Sequence, residues 1–209
     1  YVNTYVFKHR LNSRPGQFVN LWLPGVDEKP MSIAYDGGEE FWLTIFAVGR
    51  MTKVLSGMKV GDRVGVRGPF GTAFEYQAGD HLILLGGGYG AAPLYYLAVE
   101  ALKKKCTVDF ILGARSKEHL LFVNRIRELQ RQYKGIVKLH IATDDGSEGV
   151  KGYNTQIFET VMENLMKKNF HTVQKKNHQI RAVCVGPELM MKRASDICFA
   201  LKTFCQVSL

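Results

Sequence analysis

Hydrophobic and polar positions follow two different periods along this chain, and the change from one to the other falls near residue 79. Up to that point apolar residues come in short runs of strand character, at Gln17–Leu23, Met31–Tyr35, Glu40–Val48 and Arg63–Arg67. Turn formers separate them at Arg14-Pro15-Gly16, Pro24-Gly25, Asp36-Gly37-Gly38 and Val60-Gly61-Asp62. Closely spaced strands of this kind predict a small barrel or sandwich. One short helix is predicted over Thr52–Ser56, with Thr52 as its cap and Gly57 as its stop.

Beyond residue 79 strands alternate with helices. Strands are predicted at His81–Leu85, Thr107–Leu112, Val137–Ala142 and Ala182–Val185, with an edge-like Cys205–Leu209 at the end. Helices are predicted over Ala91–Lys105, from a Ser116 cap to about Tyr133, over Thr155–Lys168 and over Glu188–Leu201. This alternation predicts a parallel sheet covered by helices on both faces. The expected organisation is therefore two domains, 1–78 and 79–209.

Composition changes this picture little. The 209 residues are 46% hydrophobic and 22% charged, ordinary for a water-soluble fold. No apolar run approaches the roughly 18–20 residues of a membrane span, so no membrane association is expected. The chain opens at Tyr1 without a methionine, charged leader or apolar segment. No signal peptide is expected, and the sequence is expected to begin inside a longer one. Cys106, Cys184, Cys198 and Cys205 lack disulfide-framework or zinc spacing, and they read as free thiols in a reducing cytoplasm.

The net charge of +9 is uneven: 9 basic against 7 acidic residues up to Gly79, then 19 against 12. An anionic cofactor, an acidic protein partner or a nucleic acid would each suit a basic half. No nucleic-acid motif accompanies it, and none is expected to bind. The densest basic stretch, Lys167–Arg181, reads as a solvated loop.

The candidate chemistry lies in glycine-rich turns. In Leu84-Leu85-Gly86-Gly87-Gly88-Tyr89-Gly90-Ala91-Ala92-Pro93-Leu94 an apolar strand runs into a glycine loop and then directly into a helix. Glycines admit a pyrophosphate to the backbone, and the helix start supplies N–H donors and a positive dipole end. A tight strand–helix turn without a ligand would have the same sequence. In the first half, Lys29-Pro30-Met31-Ser32 offers a cation and a hydroxyl, Val48-Gly49-Arg50-Met51-Thr52 a helix start, and Gly68-Pro69-Phe70-Gly71-Thr72 a Gly-rich turn. Together they could hold a second diphosphate.

Arg14-Pro15-Gly16-Gln17-Phe18-Val19, the Pro-x-Ser segment, Gly68-Pro69-Phe70-Gly71, the Gly86–Leu94 loop, Thr143-Asp144-Asp145-Gly146-Ser147 and Gly186-Pro187-Glu188-Leu189-Met190 follow one another in this order. The order resembles the ferredoxin-reductase-like superfamily. The Thr-Asp-Asp-Gly-Ser segment and the ending Gln206-Val207-Ser208-Leu209 resemble its dihydroorotate dehydrogenase electron-transfer branch. Flavin subunits of sulfhydrogenases and of ferredoxin-dependent transhydrogenases share much of the pattern.

The resemblance implies a Greek-key FAD-binding β-barrel followed by a parallel-sheet NAD(P)-binding domain. It implies electron transfer from NAD(P)H through FAD to an iron–sulfur relay and a partner catalytic subunit in a hetero-oligomer. On the flavin side it implicates Lys29, Pro30, Met31, Ser32, Gly49, Met51, Thr52, Gly71 and Thr72. On the nicotinamide side it implicates Gly87, Gly88, Gly90, Gly186, Pro187 and Glu188, with Asp144 and Asp145 towards the adenosine, although a capped turn explains these two acids equally well. An acid there would favour NADH, whereas Arg115 could accept a 2′-phosphate. No residue is expected to act as a catalytic acid or base, because the cofactors carry the chemistry.

Three positions depart from the family pattern. Lys29 stands where arginine is common, which keeps the charge and loses the bidentate fork, and Arg50 could compensate. Val185 stands where a cysteine commonly precedes Gly-Pro, with Cys184 one place earlier. The cysteine-rich tail that binds a [2Fe–2S] cluster in the family would lie beyond Leu209, so no cluster is expected on the residues given. Two other readings remain: a stand-alone flavin reductase, and a non-enzymatic module with decayed nucleotide sites.

Overall fold

The computed structural model describes residues 2–170 and 179–208. The chain divides into two compact units, Tyr1–Phe74 and Glu75–Leu209.

The first unit is an antiparallel sheet of β1 (Val2–Phe7), β2 (Phe18–Leu23), β3 (Asp27–Asp36), β4 (Phe41–Phe46) and β5 (Gly65–Phe70), with α1 (Arg50–Gly57) after β4. Its strand order is β1-β4-β3-β2-β5. The consecutive hairpins β2-β3-β4 with β1 returning beside β4 form a Greek key. The sheet is barrel-like but open, since no ladder joins β1 to β5 among the described residues. Alternation places Val19, Leu21 and Leu23 of β2 and Phe41, Leu43 and Ile45 of β4 on the buried face, joined by Ile33, Met51 and Leu55.

Two local expectations are corrected here, and one strand is added to those expected. Val2–Phe7 is a strand although none of its residues is buried; pairing with β4, some 40 residues away, makes it one. Gly68-Pro69-Phe70 belongs to β5 and not to a turn, and a register shift between Phe18 and Asn20 accommodates it on β2. Thr52 is the third residue of α1, not its cap. Its hydroxyl oxygen accepts the Val48 and Gly49 N–H groups at 3.1 and 3.0 Å, and Gly49 caps the helix without a side chain.

The second unit is a parallel sheet of β6 (His81–Gly87), β7 (Thr107–Ala114), β8 (Val137–Thr143), β9 (Val150–Lys151), β10 (Ile180–Val185) and β11 (Phe204–Ser208). Between them run α2 (Ala91–Lys103), α3 (Val123–Gln132), α4 (Asn154–Phe170) and α5 (Glu188–Ala200). The order is β11-β10-β6-β7-β8-β9. Succession therefore runs outward from β6 on one side and resumes on the other side with β10. Ile83, Leu85, Ile111, Ala182 and Cys184 form one sheet face, and Phe158 and Met162 of α4 with Met191, Ala194 and Ile197 of α5 cover it.

The helix expected from Ser116 onwards begins later. Ser116 Oγ pairs with His119 Nδ1 at 2.8 Å in a single 3₁₀ turn, Lys117–His119. Phe122 then adopts φ 62° before α3 starts, and its ring packs 5.2 Å from that of Tyr95 on α2. The basic stretch is also redrawn. Lys167 lies in α4, Arg181 is buried in β10, and residues 171–178 lie outside the described residues.

A polar row crosses the covered face. Asp109 of β7 accepts hydrogen bonds from His81 of β6 and His140 of β8, both at 2.7 Å. Burial works against its charge, but the His140 and His81 bonds outweigh this and hold its carboxyl well below the usual range. A depressed folded-state value gives stability that is present above about pH 4 and is lost as pH falls further. Asp109→Asn should therefore flatten the acid side of the stability profile, read as the urea midpoint between about pH 5 and pH 3.

Candidate functional site

In an open α/β sheet a ligand crevice forms where strand succession reverses, outside the carboxyl ends of the strands. Here that point lies between β6 and β10, whose carboxyl ends are Gly86–Gly87 and Val185. The structure brings Gly87, Gly88, Gly90, Gly186, Pro187 and Glu188 together there. After β6 the residues Gly88–Gly90 form a 3₁₀ turn, and the Ala91 N–H bonds back to the Gly88 and Tyr89 carbonyls. Helix α2 thus effectively begins within the glycine turn and points its positive end out of it, with no acidic residue in its first turn.

The glycines of this loop do different work. A Cβ on Gly90 would overlap the Val185 carbonyl, so Gly90 lets the loop close on β10. One on Gly87 would lie 2.7 Å from Pro187 Cδ and 2.8 Å from Met190 Sδ. Gly88, at φ 54°, has nothing within 4 Å of its Cβ position. It is the one glycine of the three that leaves space for an incoming phosphate. Pro187 caps α5, and Glu188 is exposed in its first turn.

Asp144 and Asp145 stand farther along the sheet, at the end of β8. Asp145 is occupied by its own turn, accepting the Ser147 N–H at 2.9 Å and its hydroxyl at 2.6 Å, and these bonds lower its carboxyl pKa. Ser147 Oγ in turn accepts the Lys117 N–H at 2.8 Å. Asp144 is exposed beside this turn and takes no part in those bonds.

Cys184 does not stand in for a thiol at position 185. Successive side chains of a strand point to opposite faces, and Cys184 faces the core beneath α5, beside Cys198 and Cys205. A hydrogen bond with Cys205 and then burial push the Cys184 thiol up. It is inert.

In the first unit the Lys29–Ser32 half of β3 pairs with β2 alone, because the β3–β4 ladder covers only Ile33–Asp36. Pro30, which has no N–H to give, is tolerated on that open side. Lys29, Pro30 and Ser32 are exposed and Met31 is half-buried. Antiparallel β4 leaves the sheet at this same end and leads into α1. Lys29 and Arg50 converge there on Asp27: Lys29 Nζ lies 3.0 Å from its carboxylate, and the Lys29 bond, ahead of the Glu28 N–H and the Arg50 charge, lowers the Asp27 carboxyl pKa.

The start of α1 has no side-chain cap bond and no acid. Met51 and Thr52 are buried, and the Thr52 hydroxyl is taken up by the Val48 and Gly49 backbone at the helix start. On the neighbouring strands Ser32, Phe18 and Phe70 stand in one row, and the Gln17 side chain bonds the Gly71 carbonyl at 3.1 Å. Gly71 and Thr72 are exposed beside it.

Each unit thus presents a helix start with no acid in its first turn, beside exposed Gly49, Arg50 and Gly71 on the first unit and half-buried Gly88 on the second, donors that suit a diphosphate. The residues fit FAD on the first unit and a nicotinamide nucleotide on the second. One residue absent from the sequence reading also belongs to the site: Asn154, at the start of α4, bonds the Gly86 carbonyl at 3.1 Å. A bond spanning 68 positions leaves no local signal.

Comparison with known proteins agrees with this geometry. The profile of the oxidoreductase FAD-binding domain matches residues 2–76, and that of the oxidoreductase NAD-binding domain matches residues 84–196. The probable electron transfer subunit of dihydroorotate dehydrogenase B (NAD(+)) from Methanocaldococcus jannaschii is 38% identical over all of this chain and 72% of its own length. The counterpart from Methanocella arvoryzae is 39% identical over 88% of this chain and 61% of its own length. Among solved structures, an NADH-dependent reduced ferredoxin-NADP oxidoreductase superposes with a TM-score of 0.75 at 28% identity, over 100% of this chain and 71% of that one. The chain belongs to the FAD- and NAD-binding oxidoreductases of ferredoxin-reductase-like fold, in the family of the dihydroorotate dehydrogenase B electron transfer subunits.

Proposed function

We propose that this chain takes electrons from NADH through FAD and delivers them to a separate catalytic subunit, as an electron-transfer subunit of dihydroorotate dehydrogenase type. What carries the reading is that the likeness to electron transfer subunits runs through both units. Bound FAD accepts the two electrons of a hydride together and can release them singly, which suits it to such a junction.

The chain's own residues bind and orient. Lys29, Arg50 and the start of α1 hold the flavin diphosphate, with Pro30, Met31, Ser32, Gly49, Met51, Thr52, Gly71 and Thr72 around the same cleft. Gly88 and the start of α2 hold the nicotinamide pyrophosphate, Gly87 and Gly90 shape that loop, and Gly186, Pro187 and Glu188 border the nicotinamide. Asp144 accepts a ribose hydroxyl and repels a 2′-phosphate, which sets the preference for NADH. No side chain has to exchange a proton for the electrons to pass. Among the described residues no cluster of histidine, cysteine and acidic side chains could hold a metal ion, and no helix is long and apolar enough to cross a membrane.

The test is an anaerobic titration of the FAD-loaded protein, followed through the flavin absorption bands. NADH should bleach them at concentrations at least about tenfold below those NADPH requires, a difference of about 1.4 kcal/mol. Asp144→Asn should narrow that gap. A protein that takes up no FAD, or whose flavin NADH leaves oxidised, would overturn the reading.

A further inference from the structure

Asn154 is buried in the first turn of α4, and its side chain reaches the carboxyl end of the sheet. Its Nδ2 donates to the Gly86 carbonyl at 3.1 Å, at the root of the glycine turn, and approaches Met190 Sδ at 3.3 Å. Met190 belongs to the opposite wall of the crevice, in the first turn of α5. Its Cε lies 2.8 Å from the Cβ position of Gly186, and its Sδ 2.8 Å from that of Gly87. One amide therefore touches both walls. Room for it comes from a third strand: a Cβ on Gly113, at the end of β7, would overlap Asn154 Nδ2.

An ordinary helix start needs none of this. A residue in the first turn satisfies neighbouring backbone donors with a side-chain oxygen, whereas Asn154 sends its donor away from α4 to a carbonyl of the central strand. Both contacts of the Asn154 side chain are made through its amide nitrogen, inside the sheet end and not along α4. A buried amide with two partners on two different segments fixes the distance between them.

We propose that Asn154 is a positioning residue for the nucleotide crevice: its amide sets the separation of the Gly86–Gly90 turn from the Gly186–Met190 turn. This inference rests on the reading of that crevice as the nicotinamide nucleotide site. Asn154 touches the loops and not the ligand. Its loss should act on how the crevice meets the nucleotide and should leave the flavin end of the protein alone.

Asn154→Asp keeps the shape and charges the group, replacing the donor with an oxygen that repels the Gly86 carbonyl. In the FAD-loaded protein, dissociation constants for NAD⁺ and ADP-ribose should rise about tenfold or more, the effect of losing one positioning hydrogen bond. FAD content should stay at the wild-type level. KM for NADH should rise with the dissociation constants by a larger factor than kcat falls. A purely structural role would lower the thermal midpoint without this split.

The wild type provides a test that does not depend on a variant folding. In ¹⁵N-labelled protein the Asn154 side-chain amide protons should be protected from exchange, and their shifts should move on adding NAD⁺. Wild-type binding that Asn154→Asp leaves within twofold, or Asn154 amide protons that exchange freely and ignore NAD⁺, would overturn the inference. A wild type that takes up FAD but binds no NAD⁺ would overturn the nucleotide reading, and the inference with it.

Discussion

Alanine at position 90 is expected to unfold the second unit at temperatures where the wild type stands. The new methyl would occupy the place of the Val185 carbonyl oxygen and also crowd the Val185 Cβ. Gly90 sits at φ −58°, which alanine tolerates, so the cost is steric. The obstacle is backbone on both sides. The Gly88–Gly90 turn joins the central strand β6 to α2, and Val185 ends the strand beside it, so neither can yield without disturbing the sheet. Overpacking of this kind costs about 1–3 kcal/mol where side chains can give way, and between rigid backbones the expected cost is about 3 kcal/mol or more. The thermal midpoint of the Gly90→Ala protein, followed by near-ultraviolet circular dichroism, should fall by roughly 8 °C or more. Gly88→Ala is the control, since space is open there and only the positive φ is strained, at about 1–2 kcal/mol. That variant should fold and bind NADH weakly. A Gly90→Ala protein as stable as the wild type would mean that the loop and β10 stand farther apart.

Removing the carboxylate of Asp80 should be the most damaging change among the charged residues. Asp80 is 1% exposed and accepts three hydrogen bonds, from Gln77 N–H at 2.8 Å, Gln179 N–H at 3.0 Å and Arg181 Nε at 2.7 Å. Arg181 is itself buried, with its guanidinium 4.7 Å from the centre of the Phe204 ring. Asp80→Ala leaves that cation without its anion and two backbone donors without an acceptor. Breaking one side of such a pair costs about 3–5 kcal/mol, read from the urea midpoint at neutral pH. Asp80→Asn should recover part of this loss, because its amide oxygen can still accept one or two of the bonds. The double variant Asp80→Ala with Arg181→Met should lose less than the sum of the two single changes, since the stranded charge is gone. Additive losses would show that the two side chains act independently.

Local patterns announced the two-part architecture and both open helix starts. The apolar run before Gly86 and the helix pattern after Gly90 are adjacent in sequence, so strand, turn and helix could be read directly. Whatever rests on distant pairing could not. β1 is a strand because β4 accepts it. Gly90 reads as a phosphate glycine, but its neighbour is Val185, and only the parallel pairing of β6 with β10 brings them together. Met51 and Thr52 lie in a motif that suggests contact with a ligand, but the amphipathic turn of α1 directs both side chains inward. Arg181 lies in a basic stretch that suggested solvent, and it is buried because Asp80, 101 positions earlier, enters the core with it. The Asn154 amide and the space left by Gly113 become related only once the sheet is assembled.

Glu75 and Gln206 exchange two hydrogen bonds, Glu75 N–H to Gln206 Oε1 at 2.8 Å and Gln206 Nε2 to the Glu75 carbonyl at 3.0 Å. The first residue of the second unit and its last strand, 131 positions apart in the chain, therefore meet at a single point. A folded body with adjoining ends can be spliced into another chain, or extended from either end, without its interior being redrawn. The same clamp makes a circularly permuted version feasible, with new termini opened in a surface loop on the far side of the sheet.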